Sequence, residues 1–118
     1  YTKAQRRAYD YIVAGMRSSA MGGTCKMLGS LPFAACGKTG TAQNRGHDHS
    51  VFMGFAPMDK PKIAIAVYVE NGGWGADYGV PMGKVLMEQY IMGKLSPSGE
   101  RLATEMQNRR ISYGDSER

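Results

Sequence analysis

The sequence lacks any long apolar run and has little cysteine. The longest apolar stretch, Ile63–Val69, has seven residues, whereas a membrane-spanning helix needs about 20. No transmembrane segment is therefore predicted within these 118 residues. The only cysteines are Cys25 and Cys36, and their spacing does not match a structural zinc site. Two interpretations stay open for them, a disulfide in an oxidising compartment or two unpaired thiols in the core.

Acidic residues are scarce near the N-terminus, where most of the net charge of +5 is concentrated. Residues 1–27 contain five Lys or Arg and one Asp. These basic side chains are spread along a predicted helix and do not form the dense stripe, with stacking aromatics, that is typical of nucleic-acid binders. The preferred interpretation is a solvated helix face, and no nucleic-acid partner is predicted. The alternative would require binding that weakens steeply with salt.

Glycine and methionine, by contrast, are abundant. The 16 glycines are about twice the usual share of about 7%, and the nine methionines predict a core with adaptable packing. The 42% apolar and 21% charged content is typical of a soluble globular chain and excludes wholesale disorder. The length suits one domain. Because the chain begins at Tyr1 rather than Met, we expect a fragment or a processed chain.

Helical patterns flank the middle of the sequence. Thr2 and Gln5 have the spacing of a capping box, and a helix is predicted from there to about Ser19. Its apolar face would consist of Ala8, Tyr11, Ile12 and Met16. A second helix is predicted over roughly 78–92, with Pro81 in its first turn and Gly93 as its C-terminal cap. Its apolar side would consist of Val85, Leu86, Tyr90 and Ile91.

Three strands are predicted between these helices, over 33–43, 50–56 and 62–70. The loop over 57–61 is short enough to force an antiparallel hairpin. The fold class is therefore α+β, with a three-stranded antiparallel sheet flanked by helices. The last part of the chain, 94–118, is predicted to contain a linker over 95–99, a short polar helix over 100–110 and a loose tail.

The stretch from Cys36 to Asn44 contains the residues best suited to chemistry. Its Gly-Lys-Thr triplet is not a phosphate-binding loop, because that motif needs a glycine where Pro32 stands. On a strand, alternation instead places Lys38 with Gly40 on one face, and Thr39 with Thr41 on the other. A cation, hydroxyls and free amides beside a glycine suit an acyl substrate that carries a carboxylate.

The triplet Lys38-Thr39-Gly40 resembles the third signature of the penicillin-recognising serine acyltransferases. Together with the longer string over 37–43, the segment Phe52–Pro57 and the residues over 75–81, it resembles the C-terminal third of a class B penicillin-binding protein, above all the penicillin-binding protein 2 group. The resemblance covers roughly residues 8–93. It implies that 1–93 is the C-terminal segment of a transpeptidase domain with the penicillin-binding or serine beta-lactamase-like fold, whose five-stranded sheet would be represented here by three strands.

The resemblance also implies a reaction and a set of roles. The family cross-links peptidoglycan stem peptides through a serine acyl-enzyme, and beta-lactams mimic the D-Ala-D-Ala end of the stem. Lys38 would organise the polar network and attract the substrate carboxylate, which the Thr39 and Thr41 hydroxyls would bind. The Thr41 backbone N–H would form half of the oxyanion hole, and Gly40 would keep the groove open. No metal or organic cofactor is implied, and the parent protein would be anchored in the bacterial inner membrane with its catalytic domain in the periplasm.

The sequence departs from the family pattern in one decisive respect. None of its eight serines is followed three places later by lysine, and none is followed two places later by asparagine. The nucleophile, its lysine and the middle signature are absent, so the chain alone is predicted to be inactive. An alternative is a non-catalytic binding module of the same fold. The missing family strands would leave the edge over 62–70 unpaired, which predicts self-association through that edge, and the remainder of the parent chain would be the natural partner.

Two further features have a functional and a structural interpretation. His47 and His49 flank Asp48 and could bind a metal, but no third ligand is placed by the sequence, and a polar loop is the preferred interpretation. Trp74 lies in a glycine-rich loop and could be a ligand platform. Packing of its ring against the sheet or the second helix is the preferred interpretation there.

Overall fold

The computed structural model describes residues 2–111, which form one three-stranded antiparallel sheet and three helices. Within those residues, no helix has the length and hydropathy needed to cross a membrane. The α+β prediction is confirmed. In chain order the elements are α1 (Lys3–Gly22), a 3₁₀ segment (Lys26–Ser30), β1 (Cys36–Ala42), β2 (His49–Ala56), β3 (Ile63–Val69), α2 (Gly75–Met92) and α3 (Pro97–Asn108).

The sheet has the strand order β1-β2-β3, and each neighbouring pair is antiparallel. All three predicted strands are present, although β1 begins three residues later than position 33. The side chains of β2 alternate between two faces, with Phe52, Gly54 and Ala56 buried and Met53 exposed. Since Thr39 lies opposite Phe52, the buried face of the sheet includes one side of the Lys38-Thr39-Gly40 triplet.

Helix α1 begins with the predicted capping box. The Thr2 amide donates to Gln5 Oε1 at 2.8 Å, and the Gln5 amide donates to Thr2 Oγ1 at 3.1 Å. The helix continues to Gly22, three residues beyond the predicted end, and the Gly23 N–H closes it on the Ser19 carbonyl at 3.0 Å. A glycine as the last helical residue was not expected from its low helix propensity.

The predicted apolar face of α1 is wrong as a buried face. Tyr11 and Ile12 are 74% and 61% exposed, and Ala20 is the one buried residue within Lys3–Gly22. The reason is that the C-terminal part of α1 contacts the 3₁₀ segment, where Gly29 lies close to the Ala20 carbonyl. In the first half of α1, Tyr11 and Ile12 instead remain exposed to solvent.

Helix α2 begins at Gly75, three residues earlier than predicted, so Pro81 lies in the helix interior and not in its first turn. The predicted apolar side is also wrong in part, since Leu86 and Tyr90 are exposed. The side that faces the sheet is instead formed mainly by small residues. The buried residues of the whole helix are Gly75, Gly79, Val80, Pro81, Gly83, Met87 and Glu88, of which Glu88 contacts Ser96 and not the sheet.

Phe52 is the largest fully buried side chain, and glycines surround it. A Cβ atom added at Gly79 or Gly83 would lie 2.7 or 2.3 Å from Phe52 atoms. Glycines on the strands show the same closeness, with 2.7 Å at Gly37 and 2.6 Å at Gly54. We call these four glycines and Phe52 the glycine cage. It explains part of the high glycine content, because each position leaves room for one phenyl ring.

Cys25 and Cys36 are both buried and free, so the unpaired interpretation of the two cysteines is correct.

The polar helix is confirmed, but it begins at Pro97, within the predicted linker, and Ser96 caps it by accepting the Gly99 N–H at 3.1 Å. Gly93 caps α2 as predicted, in the left-handed conformation with φ 77°. The predicted loose tail comprises the last eight residues, 111–118, of which 112–118 lie outside the described residues.

Candidate functional site

Strand β1 forms one edge of the sheet, and among residues 2–111 no strand pairs with its outer side. It contains Lys38, Thr39, Gly40 and Thr41 in consecutive positions, of which Lys38 and Thr41 are exposed and Thr39 and Gly40 are half-buried. An edge strand presents backbone N–H and C=O groups that a ligand can use. The four residues singled out from the sequence therefore lie together on a strand that an extended peptide can reach.

Lys38 is exposed and borders a cleft of about 1000 Å³ beside α1. Its Nζ donates to the Thr39 carbonyl at 2.6 Å, so the ammonium group lies over the strand itself. The cleft has an apolar wall and a polar rim. The apolar wall includes Ile12, Met16, Met21 and Met53, and the polar rim includes Ser18, Ser19, Thr24 and Lys38. The ammonium group is thus both accessible and close to a concave surface.

Thr39 belongs to a short chain of hydroxyl groups. Its Oγ1 donates to Thr24 Oγ1 at 3.1 Å, and Thr24 Oγ1 lies 3.3 Å from Ser19 Oγ. Since Thr24 and Ser19 belong to the end of α1 and the loop after it, this chain connects β1 to α1. Each hydroxyl can both donate and accept, so the Thr39 hydroxyl is oriented by its neighbours before any ligand arrives.

Gly40 and Thr41 leave the outer surface of β1 accessible to a ligand. A Cβ atom at Gly40 would make only ordinary contacts, the nearest at 3.7 Å to Val51 Cβ. The glycine is therefore not required by packing within residues 2–111, and its missing side chain leaves space on the outer surface. Thr41 is exposed, and its hydroxyl makes no hydrogen bond within the same part of the chain.

The first turn of α2 supports β1 from the buried face. A Cβ atom at Gly75 would lie 2.8 Å from the Gly40 carbonyl oxygen and 3.0 Å from Thr39 Cβ. Ser50 Oγ donates to the Trp74 carbonyl at 2.9 Å and accepts the Gly79 N–H at 3.1 Å. The backbone of the helix and that of the Thr39-Gly40 strand are thus in direct contact, without intervening side chains.

The start of β1 is attached to α1 by Arg17, whose guanidinium donates to the Ala35 carbonyl at 2.8 Å. Burial raises the pKa of the neighbouring Cys36 thiol, and the positive charge of Arg17 acts in the opposite direction. The thiol is therefore protonated at neutral pH, which suits a packing role and not a nucleophile.

His47 lies in the polar loop before β2, in agreement with the preferred interpretation, whereas His49 is the first residue of β2. His49 Nδ1 accepts the Asn71 N–H at 3.0 Å, and Asp48 Oδ1 accepts the Asn44 N–H at 3.1 Å. Asn44 Nδ2 donates to Asn71 Oδ1 at 2.8 Å, which joins the loops that follow β1 and β3. Among the described residues no three His, Cys, Asp or Glu side chains are grouped as a metal would need.

Trp74 contradicts the packing interpretation, because its side chain is 72% exposed. Within residues 2–111 its backbone carbonyl accepts hydrogen bonds from Ser50 Oγ and from the Asp77 N–H. The ring is turned outward because the small residues that follow it bring the helix too close to the sheet for an indole to fit between them.

Sequence reasoning located the Lys38–Thr41 segment but missed its supporting residues. Thr24 and Ser19 gave no recognisable signal, because a serine and a threonine in a turn-rich stretch are common. Gly75, Gly79 and Gly83 did give one, since their spacing of four places them on one helix face. The chemical roles predicted for Lys38, Thr39, Gly40 and Thr41 stay predictions.

Comparison with known proteins agrees with this geometry. Residues 3–88 match the family model described as the penicillin binding protein transpeptidase domain. The Mycobacterium tuberculosis peptidoglycan D,D-transpeptidase PbpA is 34% identical over 105 residues, which cover 76% of this chain and 21% of that protein. The chain therefore spans about a fifth of the length of such relatives.

Solved structures give the same result. The structure of Pseudomonas aeruginosa PBP2 in complex with WCK 5153 has 38% sequence identity and a TM-score of 0.66, covering 76% of this chain and 21% of that one. The complex between PBP2 and MreC from Helicobacter pylori has 28% identity and a TM-score of 0.66, covering 80% of this chain and 19% of that one. The residues matched by the family model include the whole sheet and the strand that presents Lys38.

Proposed function

Because the chain belongs to the penicillin-binding protein transpeptidase family, we propose that it is the part of a peptidoglycan D,D-transpeptidase that binds the carboxylate end of the substrate. The observation that supports this most directly is the position of Lys38-Thr39-Gly40-Thr41 on an exposed edge strand beside a cleft. The substrate is a stem peptide ending in D-Ala-D-Ala, and beta-lactams compete for the same strand.

Each residue of the motif has a role that its surroundings suit. The Lys38 ammonium and the Thr39 and Thr41 hydroxyls bind the substrate carboxylate, since hydrogen bonds between charged groups are the strong ones. On binding, the Lys38 ammonium and the Thr39 hydroxyl exchange their present acceptors, the Thr39 carbonyl and Thr24 Oγ1, for the carboxylate. Gly40 leaves space for the peptide backbone, and the Thr41 N–H forms half of the oxyanion hole.

The nucleophile and its lysine come from another part of the enzyme, because this sequence contains neither S-x-x-K nor S-x-N. That part covers the cleft beside β1. Met21 and Met53 are 64% and 54% exposed there, and contiguous exposed apolar side chains are typical of interaction surfaces. The acyl-enzyme therefore forms where the motif strand and the missing part of the domain meet. No metal or organic cofactor takes part in the proposed reaction.

Two further proposals concern the surroundings of the enzyme. The parent is anchored in the bacterial inner membrane with its catalytic domain in the periplasm, which is where its substrate is found.

In the isolated chain, β3 forms the second edge of the sheet, and two copies associate through that edge when no other strand covers it.

The test is acylation by a fluorescent penicillin of the full-length polypeptide that carries this sequence. Lys38→Ala should slow acylation by about 10- to 100-fold, because a hydrogen bond to a charged group contributes about 1.5–3 kcal/mol. Lys60→Ala is the matched control, since Lys60 is an exposed lysine in the β2–β3 loop. Equal labelling of both variants would refute the role of Lys38.

The same experiment separates the proposal from the alternative of a non-catalytic module. The absence of S-x-x-K from this sequence is the observation that favours a module. A native polypeptide with an intact mass near 12.9 kDa and no labelling would support the module. A larger, labelled polypeptide that contains a serine three places before a lysine would support the transpeptidase.

A further inference from the structure

Helix α2 contains a backbone acceptor that the helix itself cannot use. Pro81 lies in the interior of Gly75–Met92, and proline has no N–H to donate to the carbonyl four residues earlier. That carbonyl belongs to Asp77, in the first turn of the helix. A backbone acceptor without a hydrogen-bond partner weakens the helix at this point. A donor from outside the helix therefore stabilises this turn.

The partner of the Asp77 carbonyl is Arg109, the residue that ends α3. The Arg109 guanidinium donates to the Asp77 carbonyl through Nη1 and to Glu105 Oε1 through Nη2 at 2.8 Å. Its carbon atom Cζ also lies 5.1 Å from the centre of the Tyr78 ring, within the range of a cation–π contact. One side chain thus replaces the hydrogen bond lost at Pro81 and covers the next residue of the helix.

Helix α3 is held to α2 at its other end as well. The Glu88 carboxylate is 6% exposed and accepts the Ser96 N–H at 3.1 Å. The Ser96 hydroxyl donates to the same carboxylate, at 3.2 Å to Oε1 and 3.1 Å to Oε2. Contacts at both ends give α3 a defined position, which a loose appendage would not have.

The turn that Arg109 holds is also the turn that supports the motif strand. Gly75 packs against the Gly40 carbonyl and Thr39 Cβ, as described above. The distance along the helix from Gly75 to Asp77 and Tyr78 is less than one turn. A shift of that turn therefore displaces the backbone against which Thr39 and Gly40 rest.

We propose that Arg109 is a positioning residue that acts through the first turn of α2 on the Thr39-Gly40 strand. It lies beyond residues 3–88, which the family model covers. The consequence for catalysis rests on the proposed function, whereas the effect on the strand does not. The structure therefore allows two separate measurements.

The first measurement is amide hydrogen exchange by NMR on the chain. Arg109→Met should speed exchange at the Gly40 amide, the motif amide that faces Val51 on β2, by about tenfold, because the supporting turn loses a hydrogen bond from a charged donor. Arg101→Met is the matched control: Arg101 is exposed on α3 and makes no side-chain hydrogen bond among the described residues. The β3 amides should exchange at unchanged rates, and an equal change throughout the sheet would overturn the proposal by showing general destabilisation.

A second variant tests the mechanism directly. Pro81→Ala supplies a helical N–H for the Asp77 carbonyl, so the effect of Arg109→Met should shrink at least threefold in that background. If Arg109→Met has the same effect in the Pro81→Ala background as in the wild type, the proposed link through Asp77 is wrong.

The second measurement is penicillin acylation of the full-length polypeptide. Arg109→Met should lower the acylation rate constant at saturating penicillin by about tenfold, while Arg101→Met leaves it unchanged. A wild type that is not labelled refutes the proposed function, and hydrogen exchange still decides the role of Arg109. A labelled wild type with equal rates for both variants overturns the positioning role in catalysis.

Discussion

Gly83→Ala should destabilise the chain, although alanine is the better helix former. A Cβ atom at this position would lie 2.3 Å from Phe52 Cε2 and 2.7 Å from Cδ2. The ring cannot retreat freely, because Gly37 and Gly54 of the glycine cage lie against its other atoms, and Gly79 lies against the Phe52 Cβ. Forcing one extra carbon into such a core costs about 1–3 kcal/mol, and the close distance places the cost near the upper limit.

Gly15→Ala is the control, since Gly15 is exposed in the interior of α1 and an added Cβ has no neighbour within 4 Å. Both substitutions gain about 1 kcal/mol of helix propensity, so the difference between the two variants isolates the packing term. Urea unfolding followed by far-UV circular dichroism should show Gly15→Ala more stable than the wild type and Gly83→Ala less stable than Gly15→Ala by about 1–3 kcal/mol.

A repacking variant makes the reasoning refutable even if the single variant unfolds. Phe52→Leu removes ring atoms that the new methyl group would meet, so Gly83→Ala should cost less in the Phe52→Leu background than in the wild type. Such coupling is expected only for residues in contact. If Gly83→Ala and Gly15→Ala stabilise the chain equally, the glycine cage is not tight and the argument fails.

Two other properties follow from the same structure. Because burial raises the pKa of Cys36, the folded state holds the thiol proton more tightly than the unfolded state. The free energy of unfolding should therefore fall as the pH rises above about 8.5, and urea unfolding of Cys36→Ala should show a smaller fall. Light scattering should reveal dimers of the isolated chain at high concentration, and Ala66→Lys on the β3 edge should reduce them; a monomer at all concentrations would contradict the edge proposal.

Local patterns predicted much of the fold. The Thr2–Gln5 capping box needs only residues three apart, and both of its hydrogen bonds are present. The alternation of β2 is equally local, and the structure buries the side that carries Phe52, Gly54 and Ala56. The motif strand could be found because its residues are consecutive in the sequence, and the structure places them on one edge.

The errors concern interactions between distant segments. The apolar face of α1 was expected to be buried, but Tyr11 and Ile12 are exposed, with no layer over them within the described residues. Pro81 was expected in a first turn, since a proline in the helix interior leaves a carbonyl without its helical donor. That carbonyl belongs to Asp77, and its donor, Arg109, lies 32 residues away in the sequence. A local sequence pattern cannot predict a hydrogen-bond donor that lies so far away in the sequence.

Side-chain size explains the remaining difference. The apolar side of α2 was sought among its large residues, yet Gly79 and Gly83 face the sheet. Here the large residue is on the strand and the small ones are on the helix, which reverses the usual expectation for an amphipathic helix.

The glycine cage also limits how this segment can be exchanged with that of a relative. The ring of Phe52 comes from one strand, and the space for it comes from two strands and a helix, so neither part can be transplanted without the other. A chimera that joins a foreign α2 to this sheet must keep glycine at positions 79 and 83 or change residue 52 at the same time. The sheet and helix α2 must therefore be exchanged together. In a chimera, the points where the two parent sequences are joined should lie outside these elements.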